Sequence, residues 1–253
     1  MQMTRTELEI RFFDPGVEAG IVTRRLPHWS QTGTLAFLTW RTWDSIPADV
    51  ASELLQTRAD WLSRHGIDVD IPDWRDRLRA LSPGEQHEFH HSYSDRWQHI
   101  LDECRGTCVL RDPALARVVA DSLRYFDGDR YLVTDFVVMP NHVHVLAVFA
   151  TEDAMLKQCE GWKHFTATQL NKRLGRSGRF WQVDGFDHLV RSESQFDALR
   201  RYIARNPSRA GLIDGEFMLF AADPPTSGEN AGVLEPAIPP SVLARDTCSE
   251  RPA

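Results

Sequence analysis

The sequence predicts an α+β fold: a ferredoxin-like α/β sandwich with a central antiparallel sheet, a helical insertion and a disordered C-terminal tail. Three observations predict it. Runs rich in β-branched and aromatic residues at 35–42 and 131–150 read as strands, and the second breaks at Pro140-Asn141, so it folds into an antiparallel pair around a tight corner. Helical apolar spacing recurs between and after these runs, at 47–64, 112–126, 153–174 and after Ser192. After Phe220 pattern gives way to Pro224-Pro225, Gly228, Pro236, Pro239-Pro240 and Pro252.

The chain has 253 residues, enough for one domain of ordinary size with additions. We divide it into an N-terminal leader over 1–33, a main domain over 34–214 interrupted by an insertion at 66–108, and a Pro-rich flexible tail over 215–253. The net charge of −7 excludes a generic nucleic-acid coat, which needs a positive face. That average hides a basic segment: between Lys157 and Leu212 eleven Lys and Arg stand against five Asp and Glu. The four cysteines are scattered, and neither a signal peptide nor a membrane-spanning apolar run is present, which predicts a cytoplasmic protein with no membrane partner. Cys104 and Cys108 could form half a zinc site, but a second pair is missing and they read as packing thiols.

In chain order, the leader is punctuated by Gly16, Gly20, Pro27 and Gly33, with one short strand expected around 10–13. A strand over 35–42 is followed by a helix from Pro47 to about Arg64. The insertion is polar and partly helical; its His87, His90 and His91 read as a solvated helix because no carboxylate or cysteine stands at ligand spacing. Asp112-Pro113 combines an N-cap with proline at the first helical position. Asp127-Gly128-Asp129 then turns into a strand ending at Met139, and 142–150 forms its partner. The helix over 153–174 exposes Lys157, Lys163, Lys172 and Arg173. Gly175 to Gly178 is a basic turn, and 180–190 is extended. Ser192 with Gln195 reads as a capping box, Phe196, Leu199 and Ile203 seat the following helix, and Pro207 is expected to end it at Asn206.

Two places carry chemistry. His142 and His144 flank one valine, and alternation along a strand points both rings the same way, about 6.6 Å apart along the chain. Two imidazoles so placed could hold one metal ion, or could be two packed histidines. Sixty residues on, Tyr202 and Asn206 stand at i and i+4 on one helical face. An asparagine before proline is also a common helix stop. Phe180 and Trp181 could stack on bases but read rather as core, and His188 reads equally as a site contact or a structural hydrogen bond.

Met139-Pro140-Asn141-His142-Val143-His144, then Phe180-Trp181-Gln182 with Asp187-His188, then YIARNPSRAG from Tyr202 to Gly211, occur in this order over 131–212, with a weaker echo at 35–42. In these motifs the chain resembles the single-tyrosine HUH transposases, most closely their REP-associated tyrosine transposase branch. The resemblance implies that His142, His144 and Asn206 bind Mg2+ or Mn2+ and that Tyr202 is the nucleophile. It implies cleavage and rejoining of single-stranded DNA beside REP-like hairpins through a 5′-phosphotyrosine link, often by homodimers. Lys157, Lys163, Lys172, Arg173, Arg176, Arg179, Arg201 and Arg205 are then the expected phosphate contacts. Two other readings compete. A histidine-triad hydrolase needs a third histidine where Leu146 stands, and a hairpin-DNA-binding protein without catalysis could keep the same fold.

Overall fold

The computed structural model describes residues 10–12, 20–23, 27–30, 33–68, 71, 74–182 and 186–222. The expected disordered run from 223 onward lies outside these residues, as do the side chains of His87, His90, His91 and His188. In chain order the elements are β1 Gly20–Thr23, β2 Pro27–Ser30, β3 Leu35–Arg41, α1 Ala48–Arg64, α2 Trp74–Ala80, α3 Pro83–Asp102, a 3-10 turn at Val109–Arg111, α4 Pro113–Arg124, β4 Tyr131–Val138, β5 His142–Phe149, α5 Glu152–Arg173, β6 Phe186–Leu189, α6 Glu193–Arg209 and β7 Met218–Ala221. Five strands make one antiparallel sheet in the order β6-β3-β5-β4-β7. The strand carrying the two histidines is therefore the middle one.

Alternation along β5 divides the molecule into two layers. Val143, Val145, Ala147 and Phe149 join Leu115, Val119 and Leu123 of α4 and Trp162 and Leu170 of α5 in one core. His142, His144, Leu146 and Val148 face the other way, where Leu146 and Val148 pack with Leu54 of α1, Ile100 and Leu101 of α3, and Leu199, Tyr202 and Ile203 of α6. Each fully buried aliphatic side chain adds about 1.5–3 kcal/mol. Helices thus cover both faces of the sheet. The reason is that β3, β4 and β5 are apolar on both sides, and each side needs a cover.

Several boundaries follow from local chemistry. Asp112 caps α4 by accepting from the Ala114 N–H at 2.8 Å. Ser192 caps α6 by accepting from the Gln195 N–H at 3.2 Å, while the Gln195 amide oxygen accepts from the Arg191 N–H, one residue before the cap. Pro207 does not end α6 at Asn206 as expected; the helix runs to Arg209. The hydrogen bond lost at the proline nitrogen is offset by Ala210 N–H to Asn206 O and Leu212 N–H to Pro207 O, and by packing of Ala210 and Leu212 on the histidine-side core. Met218–Ala221, grouped with the tail from sequence, forms β7 on the free edge of β4, so the sheet extends past the boundary set at 214. Four residues beside a Pro-rich run are too short to show a period. The leader likewise holds the β1-β2 pair, and among the described residues 10–12 the strand expected around 10–13 is marked by the Arg11–Thr34 bridge.

A bulge in β4 decides what faces α6. Register shifts between Val133 and Asp135, leaving Thr134 without a pairing partner. Upstream, Tyr131 and Val133 face α4 and α5; downstream, Phe136 and Val138 do. Asp135 and Val137 are therefore turned toward α6. Asp135, 3% exposed, accepts from Arg200 Nε at 3.1 and 3.0 Å, and this ion pair ties α6 to β4. Asp135→Ala leaves the partly buried guanidinium without this carboxylate and is expected to cost about 3 kcal/mol, read as a lowered urea midpoint. A change within about 0.5 kcal/mol would show that the tie carries no weight.

Candidate active site

The register places the site before any side chain is considered. His142 stands opposite Arg41 and His144 opposite Thr39 on β3, and Val137 of β4 faces His144 from the other side. Both rings are fully buried, with centroids 4.8 Å apart. Phe37 stacks on His144 at 5.4 Å, and Tyr202 meets Phe37 edge-on at 6.1 Å. The tyrosine helix lies across the middle of the sheet, held by Tyr202 over β3 and β5 and by Arg200 on β4. The Tyr202 hydroxyl comes within 3.3 Å of His144 Nε2. The tyrosine thus meets His144 of its own chain.

Each histidine is held by its other nitrogen. Nδ1 of His144 hydrogen-bonds Thr39 Oγ1 at 2.7 Å, and Nδ1 of His142 hydrogen-bonds Asn141 Oδ1 at 2.7 Å. His142 Nε2 has no hydrogen-bond partner, and neither do Oδ1 and Nδ2 of Asn206, although all three atoms are buried. Asn206 lies close enough to favour a protonated His142 ring weakly, without hydrogen-bonding geometry. Buried polar atoms left bare cost roughly 1–3 kcal/mol each, which fits a pocket built to receive something.

Burial also sets protonation. Desolvation pushes the His142 imidazole down to about 3, with Asn206 acting weakly the other way. His144 is pushed well below its ordinary value by desolvation and by its neighbour His142. Both rings are neutral at physiological pH, the form that donates a lone pair. The donor set is two imidazole nitrogens and an amide oxygen, a mixture suited to a borderline divalent ion such as Mn2+. These residues fit a cation. No cluster of three or more His, Cys, Asp or Glu side chains offers an alternative metal site among the described residues.

The other expected residues are placed unevenly. Phe180 and Trp181 are buried, and Trp181 Nε1 donates to Thr166 Oγ1 at 2.9 Å, so they fill the core. The eight cations do not form one track. Lys157 lies one turn into α5, beyond the end of β5 remote from His142, and pairs with Asp153 at 3.6 Å. Lys163, Lys172 and Arg173 follow on the same helix, on the sheet face away from the histidines. Arg176 bonds Asn171 Oδ1 at 3.1 Å, and Arg179 lies 4.3 Å over the ring of Trp43, just past the end of β3 that borders His142. Arg201 and Arg205 are on α6 beside Tyr202. Trp43 is 47% exposed, an aromatic surface at the site end of the sheet that the sequence reading passed over. Thr39 and Asn141 lie inside the stretches at 35–42 and 139–144, but only cross-strand register shows what they hold.

No protein-family model matches the chain, and no curated protein matches it. Among solved structures it is similar to a REP-associated tyrosine transposase bound to a REP hairpin, at 16% identity over 74% of this chain and 73% of that one, with a TM-score of 0.36. That likeness is distant. No helix among the described residues is long and apolar enough to cross a membrane.

Proposed function

We propose that this chain is a metal-dependent, HUH-type nicking and rejoining enzyme that cleaves single-stranded DNA beside hairpin repeats through a 5′-phosphotyrosine intermediate. The observation that carries the proposal is the convergence of Tyr202 Oη, His144 Nε2, the bare His142 Nε2 and the bare Asn206 amide in one buried cluster. His142, His144 and Asn206 supply the ligands. A bound Mg2+ or Mn2+ supplies Lewis acidity at a phosphate oxygen.

In this reading Tyr202 Oη attacks phosphorus, the bond from phosphorus to the 3′ oxygen breaks, and the phenolic proton leaves as the 3′ hydroxyl forms. The phosphodiester becomes a phosphotyrosine, so rejoining needs no nucleotide hydrolysis. Deprotonation of the phenol, ordinarily near pH 10, is helped by positive charge, and Arg201 and Arg205 on the same helix are the candidates in this chain. The hydroxyl and a cation compete for the single lone pair of His144 Nε2. With His144 Nε2 holding a cation, the Tyr202 hydroxyl would be released from its present 3.3 Å contact.

The test is covalent capture. End-labelled single-stranded hairpin DNA incubated with the protein and Mn2+ should give a denaturation-resistant adduct that disappears with chelator. DNA binding without any adduct would leave the alternative of a hairpin-DNA-binding protein on this fold. The positions of the cations give a second expectation. Replacing Arg176 and Arg179 by alanine should weaken DNA binding and flatten its salt dependence by about one unit of slope for each phosphate contact removed. Lys157→Ala, at the remote end, should change neither in anisotropy titrations.

A further inference from the structure

Asn141 is fully buried at the corner between β4 and β5, and its amide is used at both ends. Nδ2 donates to the backbone carbonyls of Arg105 at 3.2 Å and Leu101 at 3.5 Å. A carbonyl can only accept, so these two oxygens dictate that the NH2 end faces them and the oxygen end faces His142. Oδ1 in turn can only accept, so the His142 nitrogen 2.7 Å away must be the one that carries the proton. A neutral imidazole has one N–H. The proton on Nδ1 thus leaves Nε2 as a bare lone pair on the side where it has no protein partner.

Both carbonyls belong to the end of the 66–108 insertion, and that end is itself anchored. Asp44, in the turn after β3, accepts from the Thr107 N–H at 2.9 Å and from its hydroxyl at 2.6 Å. Gly106 has φ of +89°, and a Cβ there would lie 2.4 Å from the Asp44 carbonyl oxygen. Cys104 and Cys108, which bracket the loop, are the non-glycine residues with positive φ among those described, at +48° and +46°. Such backbone persists only where its surroundings fix it.

We infer that Asn141 is a positioning residue that locks His142 in the Nδ1–H tautomer, and that the 104–108 loop closing the insertion sets the amide through its carbonyls. The insertion is then part of the site's support. This deepens the proposed reading of His142 as a cation ligand and rests on it only for the metal consequence, because the tautomer exists without metal.

The experiment is long-range 1H–15N correlation of the histidine rings in the metal-free full chain at neutral pH, with Mn2+ affinity measured alongside. Wild type should show His142 protonated on Nδ1. In Asn141→Ala the Nε2–H form should appear and Mn2+ affinity should fall roughly 10- to 100-fold. Gly106→Ala, which leaves every site side chain in place, should move both in the same direction. Wild-type His142 protonated on Nε2 overturns the inference whatever the variants do, and an unchanged tautomer in folded Asn141→Ala overturns it too. An unchanged tautomer in Gly106→Ala removes the loop from the account. If the tautomer shifts as expected while wild type binds no Mn2+, the positioning holds and the cation reading fails.

Discussion

Tyr202→Phe is expected to abolish covalent capture of DNA, lowering adduct formation by at least about 10^4-fold, the scale on which removal of an attacking group falls. The substitution is structurally mild. Only the hydroxyl goes, with its 3.3 Å contact to His144 Nε2, while the ring can keep its edge-on packing against Phe37. Loss of one such hydrogen bond costs about 1 kcal/mol. Because the hydroxyl no longer competes for Nε2, Mn2+ affinity should be unchanged or higher. Equal adduct formation by variant and wild type would remove the tyrosine from the chemistry. Loss of metal affinity together with loss of adduct would make Tyr202 a structural support.

The second large effect is acid lability of the metal-free protein. Both histidines are buried in the neutral form, with His142 near 3 and His144 well below its ordinary value, against about 6.5 in the unfolded chain. As pH falls below 6.5 the unfolded chain takes up protons that the folded chain refuses. Stability is therefore lost toward acid, by up to about 1.4 kcal/mol per pH unit for each histidine, until the folded value is reached. Urea midpoints measured between neutral pH and about pH 4.5 should fall steeply, and His144→Gln should remove roughly half of the slope. A flat profile in the wild type would mean that the rings are solvated and that the pocket is open.

Much of this architecture was legible in the sequence because it rests on local periodicity. The parity of His142 and His144, the corner at Pro140, the caps at Asp112 and Ser192, and the i, i+4 spacing of Tyr202 and Asn206 all involve neighbours within about one helical turn or two strand positions. What stayed hidden depends on residues far apart in the chain. Thr39 reaches His144 through strand register, and Arg105 reaches Asn141 across 36 residues. Pro207 misled because its cost at the proline nitrogen could be seen, whereas the compensation from Ala210 and Leu212 could not. The insertion looked like an appendage because its helices carry mostly polar residues. Yet its Trp74, Leu78 and Phe89 form a small core with Trp61 and Leu62 of α1, while Ile100 and Leu101 join the one beside the histidines.

The unpaired Thr134 fixes the phase of everything after it. Odd-numbered residues before it and even-numbered ones after it look toward α4 and α5, so the two halves of β4 obey opposite rules. Were Thr134 to take a regular place in the ladder, with no bulge to absorb it, alternation would rotate the second half of the strand through half a turn. The carboxylate would be carried away from Arg200, and Val137 would leave the wall beside His144. A single backbone irregularity, remote from any reacting atom, thus keeps the tyrosine helix and the imidazoles in step.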